Sequence, residues 1–161
     1  MAESVLEADV AKSRNQMQEL VDRSEIADLV SRLGLWLDEK RFDDAPSIFV
    51  EDATIDTPGG SVQGVDRLAD QARRNPRADR THHVITNLLI DLDGDRAKVR
   101  ANLIATFVHR ADAPGAHFDI GERYQFEAVR TPQGWLLSRV HVSPVWTSGS
   151  RDGADAGRPD R

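Results

Sequence analysis

The feature that most constrains this chain is a long alternation of apolar and polar residues between Arg96 and Arg110. Successive side chains of a β-strand point to opposite faces of the sheet. One face of this strand would carry Ala97, Val99, Ala101, Leu103, Ala105, Phe107 and His109, and the other mainly Lys98, Arg100, Asn102, Thr106 and Arg110. A strand with one face to bury and one to leave in water is typical of an antiparallel sheet.

Three further segments predict strands beside this one. Arg80 to Leu92 precede it, and the intervening Asp93-Gly94 is a strong hairpin signal. His117 to Arg130 follow it, and Pro132-Gln133-Gly134 turn the chain into a last strand from Trp135 to Trp146. The second half of the chain therefore predicts an antiparallel meander.

The first half predicts mainly helices. A first helix runs from Asp22 to Lys40, capped by Asp22 or Ser24, with apolar residues at helical spacing. Its apolar positions are Ile26, Leu29, Val30, Leu33 and Leu37. Asp43 or Asp44 would cap a short second helix that contains Pro46 and makes apolar contacts through Ile48 and Phe49.

Two short strands and a third helix follow. The strands are Ala53 to Thr57 and Ser61 to Gln63, and the helix runs from Gly64 to Asn75-Pro76. Helices followed by an antiparallel sheet indicate an α+β fold. We expect a curved, mixed or antiparallel sheet that wraps three N-terminal helices as a cone with a central cavity. Residues 22–147 would form this domain, between a mobile or loosely helical segment (1–21) and a disordered tail (148–161).

Composition excludes several classes of protein. A chain of 161 residues fits one domain, and it contains no cysteine, which excludes thiol nucleophiles and cysteine-based metal sites. A net charge of −6 argues against nucleic-acid binding, because phosphates attract a basic surplus. No apolar run is long enough for a membrane span, and the N-terminus does not resemble a secretory signal, so we expect a cytoplasmic protein.

Asp38 and His83 are the candidate catalytic residues. Asp38 lies at the end of the first helix, at the edge of its apolar stripe beside Ala27 and Gly34. It is either an exposed helix-terminal carboxylate or a functional one, and the helix dipole disfavours the first. His83 lies on the inward face of its strand with Ile85 and would suit proton transfer, although a hydrogen-bonded core histidine is the common alternative.

Several other residues are candidates for ligand binding. Alternation places Asn87 on the same face as His83, and His109 at the end of the next strand, either in the cavity or facing water. Tyr124 and Glu122 share a face with three apolar residues of their strand, and the rim of the cavity is the favoured place for Glu122. Trp36 would form core or cavity wall.

A metal site and nucleotide binding have less support. His117 and Asp119, with His141, mimic a two-histidine, one-carboxylate iron site, but they fall on the outer, polar face of the sheet. No glycine-rich loop leads from a strand into a helix, and no nucleophile elbow occurs. We therefore expect no metal and no cofactor.

The chain from Glu25 to Trp146 resembles the SnoaL-like branch of the nuclear transport factor 2-like superfamily. The similarity rests on the order of six motifs rather than on any single one. They are the segment from Trp36 to Asp43, the segment from Phe49 to Ala53, Gly64, the segment from His83 to Asn87, the segment from Asp93 to Ala97, and Gly134-Trp135 with Arg139.

The resemblance implies a cone with a cavity for small, often aromatic or polyketide-derived molecules, and commonly a dimer through the outer sheet face. The candidate site residues of this chain are similar to those of scytalone dehydratase. The catalytic aspartate of that enzyme falls on Asp38, its catalytic histidine on His83, and its second pocket histidine on His109. Two tyrosines that hold a water molecule against the substrate carbonyl there are replaced by Leu37 and Thr57.

The resemblance and the residues together favour a lyase, isomerase or cyclase that uses Asp38 and His83 as an acid–base pair. Asn87 would donate to the developing enolate oxygen, with His109 or Tyr124 as further candidate donors. A module that binds a small molecule without chemistry is the main alternative. A monooxygenase-like or epoxide-hydrolase variant is a third, and the hydrolase would need an Asp–Arg–Asp constellation that the sequence does not place inside. The expected partners are a small-molecule ligand and further copies of the chain.

Overall fold

The protein is described here from a computed structural model that covers residues 2–74 and 78–150, with side chains from residue 6 onward. The helices are α1 (Ala2–Asp38), a 3-10 helix (Phe42–Ser47) and α2 (Val65–Arg74). The strands are β1 (Phe49–Thr57), β2 (Gly60–Gln63), β3 (Arg80–Asp93), β4 (Arg96–Val108), β5 (His117–Thr131) and β6 (Gly134–Gly149). None of the helices in the described residues has the length and apolar content needed to span a bilayer.

The six strands form one curved sheet in the order β2-β1-β6-β5-β4-β3. Strands β3 to β6 are the predicted antiparallel meander, and β1 pairs with β6 in parallel, so the sheet is mixed. The α+β class, the mixed sheet and the number of helices are confirmed. The cone shape and the central cavity stay predictions.

Helix α1 differs from its predicted bounds. It is continuous from Ala2, so Asp22 and Ser24 lie inside the helix and are not its caps. It ends at Asp38 in a turn closed by the amide of Arg41, which donates to the carbonyl of Trp36 at 3.1 Å. Lys40 has a left-handed backbone (φ 54°), the conformation that commonly follows the last turn of a helix. The chain therefore turns away directly after Asp38.

The short second helix is a 3-10 helix, and β1 begins earlier than predicted. Phe49 is the first residue of β1 rather than a helix contact. It is nevertheless buried in the main core, as is Ile48. The predicted end of α2 at Asn75-Pro76 and the predicted tail from residue 151 lie outside the described residues. Of that tail, residues 148 and 149 belong to β6.

The apolar core lies between α1 and the sheet. Ile26, Leu29, Val30 and Leu33 of α1 are all buried. In β4 the alternation is as predicted, since Ala97, Val99, Ala101, Leu103 and Ala105 are all buried. Burial of the apolar residues of α1 fixes which face of this helix meets the sheet. It therefore also fixes the direction in which the Asp38 side chain points at the helix end.

A β-bulge interrupts the regular pairing of β3. The register of β3 with β4 shifts between Thr86 and Leu89, and Asn87 has a left-handed backbone (φ 57°). A bulge inserts an extra residue and reverses the alternation beyond it. Asn87 is consequently exposed, and the prediction that it shares the inward face with His83 is wrong.

Candidate active site

Asp38 and His83 are in direct contact. Nδ1 of His83 lies 2.6 Å from Oδ1 of Asp38, a short hydrogen-bond distance. Only 9% of the His83 side chain and 17% of the Asp38 side chain are exposed. Asp38 is therefore not an exposed helix-terminal residue, because its carboxylate turns inward onto the sheet, and its functional role stays a prediction.

Three donors hold the Asp38 carboxylate in one orientation. The backbone amide of His83 lies 2.9 Å from Oδ2 and 3.1 Å from Oδ1, and the hydroxyl of Thr81 donates to Oδ1 at 3.1 Å. The third donor is the ring of His83 itself. A carboxylate can accept a hydrogen only from a protonated nitrogen, so a neutral His83 must carry its proton on Nδ1. Its Nε2 then holds the lone pair.

Nε2 of His83 has no hydrogen-bond partner in the described part of the chain. An imidazole with one nitrogen held by a carboxylate and the other unprotonated is the arrangement of a general base. The sequence predicted both residues, but it missed Thr81. The signal was present, since Thr81 lies two residues before His83 and therefore on the same face of β3.

An apolar wall lies beside the His83 ring. The ring meets Phe107 edge to face, with centroids 5.7 Å apart, and Phe107 contacts Phe118 at 6.0 Å. Leu103, Ala105, Phe118 and Ile120 form a second buried cluster, separate from the main core. Strand pairing explains this neighbourhood, because Ala105 is opposite His83 on one side and Ile120 on the other. The His83 ring thus borders apolar surface.

His109 lies at the end of this wall and is half-buried. Its Nε2 is 2.7 Å from the carbonyl oxygen of Ser150. A carbonyl only accepts, so Nε2 of His109 is a donor that already has its acceptor. Gly149, which immediately precedes Ser150, is a position that requires glycine. Its φ is +79°, and a Cβ there would lie 2.3 Å from the carbonyl oxygen of His117. The ligand-binding role of His109 stays a prediction.

Tyr124 is the chain's only tyrosine and packs against Phe126, with ring centroids 5.5 Å apart. Burial raises the pKa of its phenol, and the charge and hydrogen bond of Glu122 raise it further. The phenol therefore stays protonated at neutral pH. Glu122 is half-buried and engages this hydroxyl, a contact that alternation alone did not predict.

Trp36 is 4% exposed and lies between two aromatic rings, Phe42 at 5.3 Å and Phe49 at 5.5 Å. Its indole N–H is buried and has no hydrogen-bond acceptor within the described residues. An unpaired buried donor costs about 1–3 kcal/mol unless a ligand or water molecule accepts from it. This burial places Trp36 in the main core, one of its two expected positions, and ligand binding by Trp36 stays a prediction.

The three residues whose pattern mimics an iron site do not come together in the structure. His117 and Asp119 form a pair at 3.4 Å, and Thr106 donates to Asp119 at 2.7 Å. His141 is exposed on β6. Within residues 2–74 and 78–150 no group of three metal-ligating side chains is close enough to hold an ion.

An Asp–Arg–Asp group does occur, at the other end of the sheet. Arg130 binds Asp22 through two contacts, at 2.7 and 2.6 Å, and reaches Asp95 at 2.8 Å. Trp135 donates to Asp22 at 3.3 Å, and the Arg130 guanidinium lies 4.7 Å from the centre of the Trp135 ring. Asp22 is 5% exposed whereas the Asp95 side chain is 80% exposed. The group therefore fastens α1 to the sheet and is not an enclosed site.

The family model of the SnoaL-like domain matches residues 18–141. The chain belongs to the SnoaL-like family. An uncharacterized protein of Mycobacterium tuberculosis is 30% identical over 133 residues, which cover 80% of this chain and 88% of that protein. This SnoaL-like protein thus has a relative at the sequence level that carries no assigned activity.

Solved structures share the fold. A protein from Kribbella flavida is 27% identical with a TM-score of 0.75, covering 86% of this chain and 98% of its own. The hexachlorocyclohexane dehydrochlorinase LinA is 19% identical with a TM-score of 0.75, and the match covers 84% of this chain and 93% of LinA. A candidate scytalone dehydratase from Novosphingobium aromaticivorans is 19% identical with a TM-score of 0.73, and the match covers 84% of this chain and 91% of that protein. At such identities the last two show the fold alone.

Proposed function

We propose that this SnoaL-like protein is an enzyme that removes a proton next to the carbonyl of a small apolar compound, with Asp38 and His83 as its acid–base pair. The observation that carries the proposal is the 2.6 Å contact between Nδ1 of His83 and Oδ1 of Asp38. The reaction class is dehydration, isomerisation or cyclisation. The names of LinA and of the candidate scytalone dehydratase agree with elimination chemistry on this fold.

The proton would move to Nε2 of His83. The electrons of the broken C–H bond form the enolate double bond, and the carbonyl oxygen takes the negative charge. Asp38 stabilises the imidazolium that results, as the carboxylate does in other histidine-based catalysts. In a dehydration the enolate then expels a β-hydroxyl group, which takes the proton back from Nε2 and leaves as water.

The surroundings of the pair suit an apolar carbonyl compound. Phe107 and Phe118 are aromatic neighbours on the side of His83, and Leu103, Ala105 and Ile120 add apolar surface around them. A low local dielectric strengthens the interaction of His83 with Asp38 while the charge develops. We therefore propose aromatic or polyketide-derived ketones as the substrate class.

The test measures proton abstraction directly, without the natural substrate. Exchange of the α-hydrogens of 2-tetralone, an aromatic cyclic ketone, is followed by NMR in deuterated water with wild-type protein and variants. We expect the wild type to accelerate exchange. His83→Gln and Asp38→Asn should each lower the rate by about 100-fold or more, the scale of general base catalysis.

His82→Gln is the matched control, since it changes the adjacent histidine, whose side chain is exposed on the other face of β3. It should exchange the ketone at the wild-type rate. Equal rates for the wild type and His83→Gln would overturn the proposal. If the ketone then still bound to both proteins, the alternative of a non-catalytic binding module would stand instead.

A further inference from the structure

The N-terminal half of α1 carries an apolar stripe that the other described residues do not cover. Leu6, Val10, Met17 and Leu20 are 66%, 43%, 63% and 63% exposed. Their spacing of four, seven and three residues, with Ser13 in the gap, is that of the a and d positions of a heptad repeat. We name these five residues the outer stripe.

The outer stripe points away from the protein's own core. Met17 and Ile26 are nine residues apart on one continuous helix, and at 100° per residue they face opposite sides. Ile26 is fully buried against the sheet. No bend of the same helix could bring the stripe onto that sheet without exposing the core face. Among residues 2–74 and 78–150, nothing covers the stripe.

The surface between the stripe residues has the form of a receiving site for a side chain. Asp9, Val10, Ser13, Arg14 and Met17 line a shallow depression. Four of them are spaced i, i+3, i+4 and i+7, which is the arrangement of a hole that accepts one side chain of a facing helix in a coiled coil. Ser13 is the smallest of the five lining residues, which allows a close approach.

The charges beside the stripe fit a second copy of this helix. With Val10 and Met17 at position a, Asp9 falls at position g and Arg14 at position e. In a parallel pair, g of one helix meets e of the next heptad in its partner. Asp9 of each copy would therefore face Arg14 of the other, which places two opposite-charge pairs across the interface.

A lipid surface fits the same segment less well. Residues 6–21 carry three acidic and two basic side chains, whereas helices that lie on anionic membranes are rich in lysine and arginine. A helix of this length without tertiary packing is also marginal in water, so an unpaired segment would lose its helical structure readily. Pairing supplies the missing burial.

We infer that two copies of the chain associate through a parallel pairing of their N-terminal helices along the outer stripe. This contact is separate from the Asp38–His83 site and does not depend on the proposed activity. It is also separate from the outer face of the sheet.

The absence of cysteine in the sequence makes a clean cross-linking test possible. Met17→Cys introduces a single thiol on the outer stripe of the full chain. Asn15→Cys introduces one on the same helix about 200° away, also at an exposed position. In a parallel pair each stripe residue meets its own copy. Under oxidised glutathione, Met17→Cys should form a disulfide-linked dimer about tenfold faster or more than Asn15→Cys, since pairing raises the effective thiol concentration.

Charge variants of Met17→Cys test the register. Asp9→Arg and Arg14→Asp, made singly, place like charges across the pair and should each slow cross-linking. Both together restore opposite charges and should restore the rate. Circular dichroism verifies that each variant keeps its helix content. Equal cross-linking of Met17→Cys and Asn15→Cys, or single and double charge variants that behave alike, would overturn the inference.

Discussion

At the scale of the residue, the site depends on the position of one carboxylate. Asp38 could be predicted because it closes an amphipathic helix beside small residues, and His83 because alternation turns it inward. Asn87 could not be placed correctly, since the direction of its side chain depends on a β-bulge that the local residue pattern does not predict. The contact of His109 with Ser150 was equally hidden, because it joins residues 41 positions apart.

Thr81 offers a test of how much positioning matters. Thr81→Val keeps the shape of the side chain and removes the hydroxyl that donates to Asp38 at 3.1 Å. We expect the exchange rate of the ketone at saturation to fall about tenfold, the kinetic equivalent of one such hydrogen bond, with little change in the concentration for half-saturation.

Thr81→Ser is the matched variant, since it retains the hydroxyl, and it should recover most of the rate. A Thr81→Val protein with an unchanged rate would show that the remaining donors suffice to orient Asp38.

At the scale of the element, α1 and β3 approach each other at Gly34, one turn before Asp38. A Cβ at Gly34 would lie 3.7 Å from the carbonyl oxygen of His83 and 3.8 Å from Cδ1 of Ile85, which are ordinary contacts. The sequence indicated space beside Asp38 through Ala27 and Gly34. It did not indicate that β1 would lie parallel to β6, since that pairing joins segments that are far apart in the sequence.

Gly34→Ala should therefore stabilise the protein. Alanine is favoured over glycine inside a helix by about 0.5–1 kcal/mol, and the added methyl group has room. Gly149→Ala is the contrasting variant, because its backbone is left-handed and its Cβ would collide with His117. It should destabilise by about 1–3 kcal/mol. Thermal unfolding measures both, and a lower midpoint for Gly34→Ala would contradict the packing described for this helix.

At the scale of the whole molecule, Asp22 and Arg130 join the long helix to the far end of the sheet. They are 108 residues apart in sequence, so no local sequence pattern could predict their contact. The hydrogen bonds of Arg130 are the main cause that lowers the pKa of Asp22 from 3.8 to about 2. A carboxyl with a lowered pKa in the folded state stabilises the fold above its unfolded pKa and loses that contribution as the pH falls.

Asp22→Asn should accordingly lower the free energy of unfolding at pH 7 by about 2–3 kcal/mol, the scale of hydrogen bonds to a charged group. The difference from the wild type should shrink between pH 4 and pH 2. Asp95→Asn removes the exposed partner of the same arginine and should cost less than about 1 kcal/mol. Urea unfolding at several pH values measures these differences, and a gap that stays constant down to pH 2 would contradict the role of Asp22.

The central claim is that Asp38 holds His83 as a base with its lone pair on Nε2. Nitrogen-15 NMR of the histidine ring reports directly which nitrogen carries the proton. For neutral His83 in the wild type, the account predicts protonation at Nδ1 and an unprotonated Nε2, with that preference lost in Asp38→Asn. A His83 protonated on Nε2, or a tautomer unchanged by Asp38→Asn, would contradict it.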